Sequence, residues 1–204
     1  MQASLIDVNH MYNDFPLLSA ATLSDADLSD VLDVLHSTPL CGDGDLCRYR
    51  IEEVSINDVQ PLCINVIQGR LKKAFALLEA YHKANMQPYL PMLLHHKEFT
   101  HLVAPPVIWE NAKHLVLLDG THRLYAARAS GISKIKALVV NGMVPALPGD
   151  PVDWKRLAEV CGPVPIHQRF ENYRYTKADI LYTDIFNSSR VRRKRSRSAE
   201  APYV

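Results

Sequence analysis

Val116-Leu117-Leu118-Asp119-Gly120-Thr121-His122-Arg123-Leu124-Tyr125-Ala126-Ala127-Arg128 is the stretch on which the fold turns. An apolar run ends at an acid and a glycine, and a helix begins at once. The run reads as a strand, and the apolar spacing beyond it as a helix from Thr121 to Ser130. The first amides of a helix have no partner inside it and sit at the positive end of its dipole. An anion held there meets backbone donors. Gly120 lets the backbone come close, having no side chain. Thr121 adds a hydroxyl, His122 a ring that can carry charge, and Arg123 a permanent fork of donors.

Working outward, Gly131 suits the C-terminal cap of this helix, and Ile135 to Val140 reads as a further strand before an Asn141-Gly142 turn. Upstream, Pro105-Pro106 precedes a short strand, Val107-Ile108-Trp109, and a hairpin-like turn over Glu110-Asn111-Ala112-Lys113. The strand His114 to Leu118 is apolar without alternation, as expected when both faces are covered. Arg48 to Ile56 reads as another strand, and Asn57 to Pro61 as a turn. From Arg70 to Ala84, Leu71, Ala74, Phe75 and Leu78 share one helical face, with Asn85 as the stop. A shorter helix is expected over Met92 to Phe99.

The flanks carry weaker patterns. Ser24-Asp25-Ala26-Asp27 has capping-box spacing, and Leu28, Val31, Leu32 and Leu35 continue it as a helix to about His36. Trp154, Leu157, Ala158 and Cys161 recur at helical spacing up to Gly162-Pro163. Thr176-Lys177-Ala178-Asp179 opens a further expected helix to about Phe186. The expected organisation is a helical extension over 1–47, a central domain over 48–141, a helical extension over 142–189 and a basic, disordered tail over 190–204.

Composition bounds the rest. The 204 residues are 48% hydrophobic and 22% charged, as in an ordinary globular chain. No apolar run is long enough to span a bilayer, and Met1 to Asp7 does not resemble a signal peptide, so a cytoplasmic protein away from membranes is expected. Cys41, Cys47, Cys63 and Cys161 form no C-x-x-C pair. Reduced thiols are the simplest state, with a Cys41–Cys47 disulfide as the alternative. The histidines, His95, His96 and His101 among them, show no metal-protease spacing. The net charge of +1 hides an asymmetry. Six of the 23 basic residues lie between Arg190 and Arg197, leaving 17 against 21 acids over residues 1–189, a net −4. Such a tail is a solvated terminus, a nucleic-acid arm or an anchor on an acidic surface.

Leu117 to Ala127 resembles the motif of the ParB/sulfiredoxin superfamily, and the flanking pattern is similar over roughly 48–141. The resemblance implies an α/β (α+β) fold with a mixed sheet and packed helices. It also implies a nucleotide-phosphate site, since ParB-type members bind CTP while sulfiredoxins and free-serine kinases use ATP or ADP. Carried onto this chain, Gly120, Thr121, His122 and Arg123 hold the phosphates. Asp119 stands where it can meet magnesium or a substrate hydroxyl, and Asp119 and His122 are the candidate catalytic groups.

The departures narrow the family. Thr121 stands where sulfiredoxins place a reactive cysteine, and no helix-turn-helix pattern follows the domain. The Asp-Gly-Thr-His-Arg variant is closest to the free-serine-kinase type. Those kinases use a glutamate after the first strand, yet Leu62 to Arg70 contains no acid, which leaves Glu52 and Glu53 as the candidates for that role. The expected activity is transfer or hydrolysis of the terminal phosphate of a nucleoside triphosphate, ATP before CTP, with Mg2+ and a small hydroxyl compound as acceptor. The alternative is a nucleotide-sensing regulator that touches DNA or RNA through Arg190 to Arg197. Capping of the helix is the competing role for Asp119, packing under the loop that for His122, and a plain surface position that for Arg123.

Overall fold

A computed structural model describes residues 22–25, 28, 29, 31, 48–95, 99–111, 114–142, 147–174 and 192–193. At its centre is a five-stranded mixed sheet of β2 (Arg48–Ser55), β3 (Val59–Pro61), β7 (Val107–Glu110), β8 (Leu115–Asp119) and β9 (Lys134–Asn141). The spatial order is β2-β9-β7-β8-β3. β2 with β9 and β7 with β8 are antiparallel, whereas β7 with β9 and β3 with β8 are parallel. The fold class is therefore mixed α/β, a five-stranded mixed sheet with two helices.

Both faces of this sheet are buried, which explains the unbroken apolar runs. On one face Leu117, Ile108, Ala137 and Val139 meet the two helices, α1 (Gln68–Lys83) and α2 (Thr121–Ala129). α1 contributes Leu71, Ala74, Leu78 and Tyr81, and α2 contributes Leu124, Ala126 and Ala127. On the other face Val107, Val116, Leu118, Leu138 and Val140 pack with Leu102, Phe170 and Val31. Residues adjacent in a strand thus serve opposite cores, as the period of two requires.

Leu102 comes from a second, antiparallel sheet of order β1-β5-β6-β11, made of β1 (Thr22–Asp25), β5 (Met92–His95), β6 (Phe99–Val103) and β11 (Arg192–Arg193). Several sequence expectations are corrected there. Met92 to His95 and Phe99 to Val103 form a hairpin, not a helix, because each pairs along its length, Met92 with Val103 and His95 with Thr100. Ser24 and Asp25 are strand residues opposite Leu93 and Met92, not a helix cap, although Leu28, Ser29 and Val31 are helical. Arg192 and Arg193, expected in a disordered tail, pair with Thr100 and Phe99.

The segment 147–174 is likewise not the expected helical extension. Trp154–Arg156 is one 3-10 turn, and the chain then extends into β10 (Ala158–Val160), parallel to β4 (Asn65–Ile67). The indole of Trp154 decides this. Its Nε1 donates to the carbonyls of Val59, at 2.8 Å, and Ile56, at 3.2 Å, and Arg128 lies 5.8 Å over its ring. Of the expected turn Asn57 to Pro61, only Asn57 and Asp58 turn, within the 3-10 turn Ile56–Asp58, and Val59–Pro61 is strand β3. Asn85 does end α1, at a φ of 53°. The residues 1–21, the Cys41–Asp45 loop with its disulfide alternative, and the expected helix at 176–186 lie outside the described residues. Among the described residues no helix is long and apolar enough to cross a membrane.

Trp154→Phe keeps the ring but strips the donor from two buried carbonyls. It should lower unfolding stability by about 1–3 kcal/mol in urea titrations. An unchanged midpoint would show that the indole bonds do not hold segment 147–174 in place.

Candidate functional site

The site begins where β8 stops. The β7–β8 ladder pairs Ile108 with Leu117 but Val107 with Asp119, so a bulge at Leu118 ends the strand's regular pairing. Gly120 follows at φ 98° and ψ 19°, in the left-handed region, and α2 starts at Thr121. A Cβ at Gly120 would lie 2.9 Å from Pro106 Cβ and 3.2 Å from an Arg123 nitrogen. The glycine is therefore demanded twice, by its torsion and by Pro106 beneath it. No side chain caps α2, and its first internal bond runs from Leu124 N–H to Gly120 O. The amides of Thr121, His122 and Arg123 have no partner within the helix.

The side chains of the motif are already engaged. Arg123 donates to Asp119 at 2.8 Å, one turn back, and to the carbonyl of Ala104. Both members of the ion pair are well buried, at 15% and 17% exposure. The carbonyl of Arg123 accepts from the buried Tyr89 hydroxyl. Thr121 is buried and its hydroxyl hydrogen-bonds the Cys63 sulfur. His122 Nε2 accepts from Ile67 N–H at 2.9 Å. In a neutral ring this places the proton on Nδ1, which is left as a donor. Arg123 is thus no plain surface arginine, and Asp119 pairs with a guanidinium instead of capping the helix.

The Ile67 bond joins two helix starts, because Ile67 is the N-cap residue of α1 and α1 likewise has no side-chain cap. Arg70 lies in the first turn of α1. A third strand of chain closes in from the C-terminal side. Arg169 O accepts from Ile64 N–H at 2.8 Å, Asn65 Nδ2 donates to Gln168 O at 2.8 Å, and Cys63 and Phe170 form an isolated bridge. Three segments therefore meet at His122, namely Leu62–Arg70, Asp119–Arg123 and Gly162–Phe170. Together they carry three arginines and a single carboxylate.

The electrostatics follow from that convergence. Burial first, then the charges of Arg70, Arg123 and Arg169, hold His122 down at about 4, well below its ordinary 6.5. The ring is neutral at pH 7, so as a ligand it offers one N–H donor and no charge. Burial likewise pushes the Cys63 thiol up to about 11, with Arg169, Arg70 and the Thr121 hydroxyl pulling it back and Asp119 opposing them. A thiol so raised is neither a nucleophile nor a thiolate ligand at pH 7.

Glu52 and Glu53 are not brought to this place. They lie on the edge strand β2, three strand spacings or roughly 14 Å from β8. Glu52 pairs with Arg50 at 2.8 Å and Glu53 with Lys134 at 3.0 Å. Conversely, Arg70, Arg169 and Cys63 stand around the motif without any local sign of it in the sequence. The acid-free run Leu62 to Arg70 was the nearest thing to a signal, since it matches the excess of positive charge found there. Among the described residues no group of three or more His, Cys, Asp or Glu side chains is placed to hold a metal. Within the three segments Asp119 is the one carboxylate that could meet a magnesium ion arriving with a nucleotide, an ion usually bound by one or two carboxylates and by substrate phosphates.

Two outcomes check this geometry. Gly120→Ala should cost more than about 2 kcal/mol in urea unfolding, from strain and the Pro106 contact. Gly69→Ala, which has no atom within 4 Å of its Cβ, should be neutral or stabilising. Unfolded, His122 takes a proton near pH 6.5, and folded only near pH 4, so its contribution to stability is complete above 6.5 and is lost as the pH falls toward 4. His122→Gln, whose carbonyl can still accept from Ile67, should lose less stability than wild type across that window. Identical pH profiles would contradict a buried neutral ring.

No family model matches the chain, and no curated protein matches it. Among solved structures, protein Atu1540 from Agrobacterium tumefaciens is similar over 55% of this chain and 63% of its own, at 11% identity and a TM-score of 0.34. The chain spans less than two thirds of that protein's length, and so distant a likeness bears on neither fold family nor function.

Proposed function

We propose that the Asp119–Arg123 turn is a nucleotide-phosphate site of the ParB/sulfiredoxin type, and that the protein transfers or hydrolyses the terminal phosphate of a nucleoside triphosphate, ATP before CTP. One observation carries this reading. Two uncapped helix starts, three arginines and one carboxylate converge on His122. Unpaired amides and guanidinium forks are the donors that phosphate oxygens require. A mildly acidic body with a local excess of arginine suits a small anion better than a nucleic-acid surface.

The chemistry follows from competition for Arg123. In the free protein its guanidinium is shared between Asp119 and the Ala104 carbonyl. A phosphate seated on the amides of Thr121, His122 and Arg123 draws that guanidinium toward itself and loosens its hold on Asp119. The released carboxylate takes the proton of a hydroxyl acceptor, or of water, as that oxygen attacks the terminal phosphorus and the nucleoside diphosphate leaves. A magnesium ion arriving with the nucleotide would neutralise phosphate charge, and Asp119 would be the carboxylate to hold it, as the alternative to acting as the base. His122 holds α1 against α2 and presents its Nδ1–H.

A nucleotide-sensing regulator that contacts nucleic acid through Arg190 to Arg197 is the second reading. It is favoured by the distance of Glu52 and Glu53, which leaves Asp119 as the single acid of the three segments.

Calorimetry with ATP, CTP and GTP separates these outcomes. The wild type should bind one of them, and Arg123→Gln should weaken that binding by at least about tenfold while circular dichroism stays native. Asp119→Asn should retain binding and lose phosphate transfer. Equal binding by wild type and Arg123→Gln, or none by either, would refute the phosphate site. Binding without any turnover would favour the sensing role.

A further inference from the structure

We propose that Arg169, delivered by the C-terminal segment and not by the motif, is a specificity-determining residue that makes the site select polyphosphates over single phosphate groups. This rests on the phosphate site proposed above and adds to it a residue outside the motif and a ligand class.

The segment that carries Arg169 is held in place from both sides. Val152 N–H donates to Pro61 O and Ala158 N–H to Ile64 O, each at 2.9 Å. β10 pairs with β4 in register, Ala158 with Asn65 through Val160 with Ile67. Phe170 is buried and stacks on Tyr173 at 6.3 Å. Gly149 allows the backbone to close on itself, since a Cβ there would lie 2.6 Å from Glu171 O. The guanidinium of Arg169 is oriented as well, because Nε donates to Val164 O at 2.7 Å. That bond uses one of five donors and fixes the plane of the fork. An arginine fixed in this way loses little freedom when it binds a ligand.

Its position relative to the motif follows from the backbone. Arg169 O is bonded to Ile64 N–H, and the next residue, Phe170, bridges Cys63, whose sulfur is bonded by Thr121 at the start of α2. The charge of Arg169 is accordingly felt by both His122 and Cys63, and so is that of Arg70. One phosphate is satisfied by the amides of α2 and by Arg123. A second and third phosphate carry their charge beyond the reach of that turn. Arg169 is the pre-oriented cation supplied by the segment whose backbone is bonded to Cys63 and Ile64, beside the motif. Bare polyphosphates and nucleotides share this chemistry.

The test compares wild type, Arg169→Gln, Arg169→Lys and Arg123→Gln by calorimetry. The probes are inorganic phosphate, pyrophosphate and tripolyphosphate in one series, and AMP, ADP and ATP in another. Wild-type affinity should climb with phosphate number. Arg169→Gln should weaken the triphosphate by about tenfold or more and the monophosphate by less than about threefold, flattening the climb. Arg169→Lys, which restores charge but not the bond to Val164, should recover part of the slope. A merely structural arginine would lower every member of a series alike. A climb confined to the nucleotide series assigns the ligand as a nucleotide, and a climb in both assigns the polyphosphate chain itself.

If Arg169→Gln weakens all phosphates equally, or none, the specificity role is overturned while the phosphate site stands on Arg123→Gln. If wild type binds neither series, both fall. Should Arg169→Gln not fold, an Arg169→Lys variant with the full wild-type slope and affinity overturns the proposed role of the fixed fork.

Discussion

The bond from Ile67 N–H to His122 Nε2 is the joint on which the site depends. Ile67 stands where β4 ends and α1 begins, so its amide has no partner inside the helix. A buried amide without a partner costs about as much as a lost hydrogen bond. The imidazole provides one, and in doing so sets its own tautomer, excludes protonation at Nε2 and places the two helix starts side by side. The neutral ring is also what allows Arg70, Arg123 and Arg169 to crowd around it. A charged imidazole there would add a fourth positive charge to a place with one carboxylate.

That crowding is offset in the free protein by the Asp119–Arg123 pair. Burying an ion pair brings a desolvation cost that Coulomb attraction repays only with good geometry and further hydrogen bonds. Arg123 has both, with Asp119 at 2.8 Å and a backbone carbonyl on its other terminal nitrogen. Counted over the three segments, three arginines still stand against one carboxylate. Under the function proposed above, the same pair that stabilises the protein would release Arg123 to a phosphate, and Asp119 would decide between a binding module and a phosphotransferase.

Much of the central sheet could be read locally. β2, β7, β8 and β9 could be read from apolar or β-branched runs bounded by turn residues and both helices from their period, and Asp119-Gly120 marked the end of β8. The three-residue strands β3, β4 and β10 are too short to show any period. They exist because distant partners supply their hydrogen bonds. Met92 to His95 and Trp154 to Cys161 misled for a related reason. Leu, Met, Ala and Trp at suitable spacing satisfy a helix, but pairing with β6 in one case, and two carbonyls caught by the Trp154 indole in the other, outweigh a weak local preference.

By itself the sequence determined the strand–glycine–helix turn, because its causes are local: an apolar run, a residue free to take a left-handed torsion, and helical apolar spacing after it. It also determined which residues line that turn. Only the tertiary structure decided what those residues face. Arg70 and Arg169 lie 53 residues before and 46 after Arg123 along the chain, and Cys63 is as remote from Thr121. The strand order put Glu52 and Glu53 at the far edge of the sheet, and the β4–β10 pairing drew Arg169 to the motif. Charge acts through space and not along the chain, so the electrostatic character of the site was settled by packing.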